Sequence, residues 1–420
     1  MPNAHPYRRF IGAAVLALAF IVYGSLYPFH FQAGSLGEAI RTLFLSHDMD
    51  QQPPSGLVAN IALYIPLGLF GVAAQSAHRA RWLRIVVITL IGTLLCLSIE
   101  IIQFFDAGRM TTLTDVYPNV GGTLVGGLLA APLTRYLTGP IHLHAPARQV
   151  AALIILLFLG YRLFPYVPTI DLHAYWQALK PVVYAPHPAA FDIARYLVIW
   201  LVVALMLADL AGPRRSRWLI GAAVLVVAAA KVGITHNHLS AAELIALPCV
   251  VIVWQLLASA SRRRVCGFLA VLLALIVLGE RLLPFEWGSY GHSFGWIPFY
   301  SILHGSMAAN TQALAEKLFL YTSLLWLLRG VGLRYTIAGT LVAAGLFLAS
   351  LLETHLPGRS AEITDAVIAV LATWVLASLA PEPIAGTNAD APSARRGPSP
   401  GPAADLASAQ ERVEHTGGHQ

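Results

Sequence analysis

The sequence predicts an all-α polytopic membrane protein with about 12 transmembrane helices, arranged as three degenerate four-helix repeats. Composition, the length of the apolar runs and the recurrence of short motifs in the same order carry this reading. Hydrophobic residues fill 57% of the 420 positions and charged residues only 11%, against about 25% charged in an ordinary soluble domain. A chain so poor in charge takes lipid as its solvent. The formal charge of +6 resides in short arginine clusters at the ends of apolar runs. It is a topology signal, and no nucleic-acid partner is expected.

A bilayer core is crossed by roughly 20 apolar residues in a helix. Runs of about that length occupy 10–29, 57–75, 84–105 and 117–137, then 149–166, 191–211, 217–236 and 240–258, then 264–285, 314–330, 334–353 and 363–380. Arginines precede the first run at Arg8 and Arg9, follow the second at Arg79, Arg81 and Arg84, and close the fourth at Arg135 and Arg148. They recur after the sixth (Arg214, Arg215, Arg217), the eighth (Arg262, Arg263, Arg264) and the tenth (Arg329, Arg334). Short cytoplasmic loops hold the excess of Lys and Arg, so every cluster falls on one side and both termini are expected in the cytoplasm of a bacterial cell. The opening "RRFIGAAVLALAF" has signal-peptide character, but no clear small-x-small cleavage site follows, and it is read as the first span. Cys96, Cys249 and Cys266 lie in or at the edge of runs without metal-site spacing, which points to neither a disulfide nor a metal site, and no cofactor is expected. Beyond about Ala380 the chain turns to Pro, Gly, Ala and Ser, the composition of a disordered cytoplasmic tail.

Three motif series define the repeat. "SLYPF", "RLFPY" and "RLLPF" close the first, fifth and ninth runs around Pro28, Pro165 and Pro284. Asn60 with Tyr64, Asp192 with Tyr196, and Lys317 with Tyr321 each stand four residues apart on one helix face, as pairs pointing inward would. Gln103, Arg109 and Asp115 recur at identical spacing as Lys231, Asn237 and Glu243, and again as Glu353, Arg359 and Asp365. The units are 1–140, 147–262 and 263–380, followed by the tail 381–420, and the middle one has drifted furthest.

The first unit resembles the VanZ-like family, small four-span membrane proteins named for an accessory protein of glycopeptide resistance that lowers susceptibility to teicoplanin. "NIALYIPLGLFG" and "EIIQFFDAGRMTTLTDVYPNVGGTLVGG" carry the likeness, through Asn60, Pro66, Gly68, Glu100, Gln103, Arg109, Asp115, Asn119, Gly122 and Gly126. The third unit keeps Arg359 and Asp365 but lacks the Asn-Gly pattern. The resemblance implies a role in the cell envelope and supplies no established reaction.

Glu100 and Gln103 share a face near the outer end of a span, where a carboxylate costs several kcal/mol unless it meets a partner or water. Arg109 is the expected partner, since its guanidinium fork can hold a carboxylate and a phosphate together. Asp115 and Asn119 enter the next helix one turn apart, and the helix start near Pro118 favours an anion. Asn60, Tyr64, Glu100, Gln103, Arg109, Asp115 and Asn119 are therefore the candidate ligand-binding set, with Glu353, Arg359 and Asp365 as a secondary set. Duller readings stand beside these: Asp115 as a helix cap, Glu100 with Arg109 as a clamp between spans, Gly122 and Gly126 as a close-packing face, and Pro66 and Gly68 as structural. His236 and His238 flank Asn237 in an outer loop, and Trp287, Trp296 and Tyr300 suit an interfacial belt. Two function classes follow. One is a binder or transporter of an anionic amphiphile, such as a lipid-linked or cell-wall precursor; the other is a membrane-embedded enzyme using Glu100 or Asp115 as acid or base, for which no nucleophile–base pair is visible.

Overall fold

The structure is a computed structural model that describes residues 8–45, 54–75, 80–106, 111–138, 146–185, 187–288, 291–303 and 306–379. Arg109 and the tail beyond residue 379 lie outside the described residues. Fifteen α-helices are present among them and strand pairing is confined to isolated bridges. The first unit contains α1 (Arg8–Leu26), α2 (Leu36–Leu45), α3 (Pro54–Ala73), α4 (Arg81–Gln103) and α5 (Val116–Thr138). The second contains α6 (Pro146–Arg162), α7 (Leu172–Tyr184), α8 (Ala190–Ala211), α9 (Pro213–Val232) and α10 (Ala241–Leu257). The third contains α11 (Arg262–Leu282), α12 (Tyr300–Leu303), α13 (Met307–Val331), α14 (Tyr335–Glu353) and α15 (Thr364–Leu379). Five segments, Gly56–Ala73 and the helices α4, α8, α11 and α14, are long and apolar enough to cross a membrane, and Phe10–Leu26, α10 and α15 are apolar but shorter.

Each apolar run coincides with a helix, yet several helices stop earlier than their runs, three of them ahead of a proline. α1, α6 and α11 end at Leu26, Arg162 and Leu282, because Pro28, Pro165 and Pro284 disfavour α geometry in the residue before them. All three X-Pro bonds are cis, and Phe29, Tyr166 and Phe285 after them have φ of 65°, 62° and 62°. α13 departs the other way, starting at Met307 ahead of its run and so taking in Asn310 and Gln312. Its polar first half is a helix because α6, α11 and α15 surround it; hydropathy alone counts those residues as loop.

Two short amphipathic helices were not expected. α2 buries Ala39 and Leu43 and exposes Leu36, Ile40 and Phe44, each set spaced four apart. α7 is started by Asp171, whose carboxylate accepts from the His173 amide at 2.9 Å, and exposes Leu172, Trp176, Leu179 and Val183. Polar residues interleave with the apolar ones in both, so neither reads as a spanning run.

One apolar core joins the second and third units, with Phe158 against Trp200 at 5.0 Å and against Phe319 at 5.4 Å between ring centroids. The first unit has smaller cores, around Ile21, Tyr64, Leu67, Cys96 and Ile99 and around Val72, Ile85 and Ala130. There α3 and α5 meet backbone to backbone. A Cβ on Gly68 would lie 2.0 Å from the Thr123 carbonyl oxygen, one on Gly122 2.3 Å from that of Ile61, and one on Gly126 2.1 Å from that of Ile65. Small residues permit this approach, which gives apolar helices in lipid close packing without a hydrophobic drive between them. Pro66 sits inside α3.

Candidate functional site

In each unit the end of the first long helix meets the end of the third and the start of the fourth. The residue types there differ, and so does the chemistry. In the first unit the Asn60 amide donates to Asp115 Oδ1 at 3.0 Å, and the Asn119 amide donates to Cys96 Sγ at 3.3 Å. Buried Glu100 accepts from the Thr112 amide at 3.1 Å, while its own carbonyl accepts from Thr111 Oγ1 at 3.0 Å. Gln103 donates to the Ser25 carbonyl at 2.8 Å, and Tyr64 is buried one turn from Asn60. The structure thus gathers Asn60, Tyr64, Glu100, Asp115 and Asn119 between α3, α4 and α5, and turns Gln103 toward α1.

Three residues before Pro165 and Pro284, where the first unit has Ser25, the other units have Arg162 and Arg281. In the second unit Arg162 and Lys231 both pair with buried Glu243, the lysine at 2.6 Å. Asn237 donates to the carbonyls of Arg162 at 3.3 Å and Phe164 at 3.0 Å. Arg359, at the matching position of the third unit, likewise donates to the carbonyl preceding its proline, that of Leu283. Tyr321 is buried like Tyr64, whereas Tyr196 is only half-buried. Asp192 departs from the expected inward pair and is exposed, because it sits in the first turn of α8, where water and the helix dipole both favour a carboxylate. His236 and His238 are exposed around buried Asn237, and among the described residues no group of three His, Cys, Asp or Glu is placed to hold a metal ion.

The third unit holds the densest charge. Arg281 grips Glu353 with both edges, Nε to Oε1 at 2.8 Å and Nη2 to Oε2 at 2.7 Å. It also donates to Ser350 Oγ at 2.7 Å and meets Asp365 Oδ2 at 2.7 Å. Lys317 reaches Asp365 Oδ1 at 2.8 Å. From the second unit Arg195 enters between Glu280 and Glu316 and pairs with both. The Tyr196 ring lies 5.6 Å from the Arg195 guanidinium and 5.2 Å from that of Arg162, linking the two ionic clusters.

These groups enclose a cavity of about 350 Å³. Its charged lining is Arg195, Arg281, Lys317 and Arg359 against Glu280, Glu316, Glu353, Glu362 and Asp365. Glu362 is anchored at the rim, accepting from Ser301 Oγ at 3.1 Å and Thr364 Oγ1 at 2.9 Å. Glu353, Arg359 and Asp365 of the secondary candidate set therefore line one cavity together. Arg195, Glu280, Arg281, Glu316 and Arg162 escaped the sequence reading, although "DIARYLVIW", "GERLLPF", "AEKLFLY" and "YRLFPY" contain them. A charge in the outer turn of an apolar helix needs a partner.

No curated protein and no solved structure matches the chain significantly. The family model described as VanZ/LLP1 matches residues 10–135, from α1 into α5. The match covers the first unit alone, which is similar to the VanZ/LLP1 family over that stretch.

Proposed function

We propose that this protein binds or moves an anionic amphiphile of the cell envelope, a lipid-linked or cell-wall precursor, and that the head group enters the third-unit cavity. On this reading the twelve long helices all span a bacterial plasma membrane as three four-helix repeats with both termini cytoplasmic. The recurring helix order and the matching junctions at Ser25, Arg162 and Arg281 support the repeat. The arginine clusters support the orientation, which turns the ends of α11 and α14 and the starts of α13 and α15 outward. A link to glycopeptide susceptibility belongs to the same proposal and rests on the likeness of residues 10–135 to the VanZ/LLP1 family.

The cavity carries the reading. Its volume of about 350 Å³ falls in the range of small-molecule sites, roughly 300–1,000 Å³. Two of its cations, Arg195 and Arg281, lie near the ends of the apolar helices α8 and α11, so a head group can be gripped while its chain stays in lipid. This reading puts the anion clamp at Arg195 and Lys317, while Arg109, the clamp expected from the sequence, lies outside the described residues. Extraction of the protein in native membrane patches, followed by mass spectrometry of the retained lipids, tests this. An anionic amphiphile should be enriched with the wild type and fall about tenfold or more in Arg195→Gln/Lys317→Gln, because each charge-assisted hydrogen bond contributes roughly 1.5–3 kcal/mol. A wild-type lipid profile identical to bulk membrane would overturn the reading.

A further inference from the structure

The charged lining of the cavity is unequal: four cations face five carboxylates. The inequality is concentrated at Arg195, whose Nε edge pairs with Glu280 on α11 and whose Nη2 pairs with Glu316 on α13. An arginine fork offers a fixed set of donors in one plane, suited to two carboxylate-like partners. Both places at Arg195 are occupied by the protein itself. The three side chains are only 20–28% exposed, so a carboxylate released from the fork stands in a poorly hydrated site that disfavours an unpaired charge.

We propose that anion binding at this cavity is proton-coupled: an incoming anion takes one of the two places on Arg195, and the displaced carboxylate, Glu280 or Glu316, takes up one proton from solution. The inference rests on the cavity being the anion site and adds how that site is loaded. The balance closes. One negative charge arrives on the ligand, one proton arrives on the carboxylate, and the net charge of the lining plus its guest is unchanged.

The surroundings favour this pair over the other carboxylates. Glu353 and Asp365 are held by Arg281, with Lys317 also on Asp365, and Glu362 accepts from Ser301 and Thr364. Glu280 and Glu316 depend on Arg195. Among the described residues, the other charged and titratable groups around them include Tyr161 from α6, Tyr196 from α8, and Arg281, Lys317, Tyr321 and Arg359 of the same lining. Two of these cations, Arg281 and Lys317, are already engaged with Asp365.

The test uses the full-length protein in a neutral maltoside detergent and a short-chain phosphatidylglycerol, whose phosphodiester keeps one fixed negative charge across neutral pH. Binding and proton uptake are read by calorimetry in buffers of different ionisation enthalpy. Wild-type affinity should fall as pH rises, by up to about tenfold per pH unit, with uptake approaching one proton. Glu280→Gln and Glu316→Gln each vacate one place on Arg195 and keep the other pair. Each should bind independently of pH, more tightly than wild type at high pH, and without proton uptake. Equal melting temperatures establish that both variants are folded, and two separate substitutions guard against one failing. Wild-type binding that does not vary with pH, or variants that keep the wild-type pH dependence, would overturn the coupling and leave the cavity reading standing. A wild type that binds the probe at no pH would overturn the cavity reading and the coupling with it.

Discussion

The first and third units share a helix order and solve the packing of their polar residues in opposite ways. In the first, glycines bring α3 and α5 into backbone contact at Gly68, Gly122 and Gly126, and the described polar side chains there pair Asn60 with Asp115 and Asn119 with Cys96. In the third, the positions matching those glycines hold Leu325, Ala372 and Leu376, all buried. Side chains now stand where the first unit has only backbone. Arg281, Lys317 and Arg195 supply cations at the third-unit junction, where the contacts of the first unit, among the described residues, include those of Asn60, Glu100, Gln103 and Asn119. A family signature can therefore mark the most tightly closed part of a molecule, while the part that has lost its glycines has room for a guest.

The largest effect expected from this contrast concerns the two matching aspartates. Asp365→Ala removes the partner of both Arg281 and Lys317 and should cost about 3–5 kcal/mol, the loss seen when one side of a buried pair is deleted. Asp115→Ala, which leaves the Asn60 amide short of an acceptor, should cost only about 1–3 kcal/mol. Detergent-solubilised melting curves check the order, and equal losses would erase the distinction.

A second expectation sharpens the glycine contrast. Leu376→Ala should open a void worth about 2–5 kcal/mol in the third unit. Gly126→Ala should overpack the first, with a Cβ 2.1 Å from the Ile65 carbonyl, at about 1–3 kcal/mol. If Gly126→Ala were neutral in the same melts, α3 and α5 would not be in contact as described.

The smallest effect belongs to the pair between Arg262 at the start of α11 and Asp209 at the end of α8. Its geometry is good, 2.7 Å from Nη2 to Oδ2, but the arginine is 40% exposed. Arg262→Ala should cost no more than about 1 kcal/mol, which a melting curve close to wild type would show.

The twelve long helices were legible because apolar runs of spanning length announce themselves without any partner. Their ends were less so, since Pro28, Pro165 and Pro284 close the helices a few residues inside the apolar composition. α2 and α7 were hidden because their apolar faces are interrupted at helical spacing. The cavity was half visible. Glu353, Arg359 and Asp365 stand at a regular local spacing, whereas Arg195 meets Glu280 and Glu316 across 85 and 121 residues of sequence. No local pattern encodes such a pair. The start of α13, with Asn310 and Gln312, was lost because polar residues ahead of an apolar run carry no hydropathy signal of their own.

The central claim is that the anion site lies in the third unit and not in the family-matched first. Binding of the short-chain phosphatidylglycerol to folded Lys317→Gln and Arg109→Ala proteins tests it most directly. The account predicts that Lys317→Gln weakens binding by about tenfold or more, the loss of one charged contact, while Arg109→Ala stays close to wild type. Retained binding in Lys317→Gln together with lost binding in Arg109→Ala would contradict it.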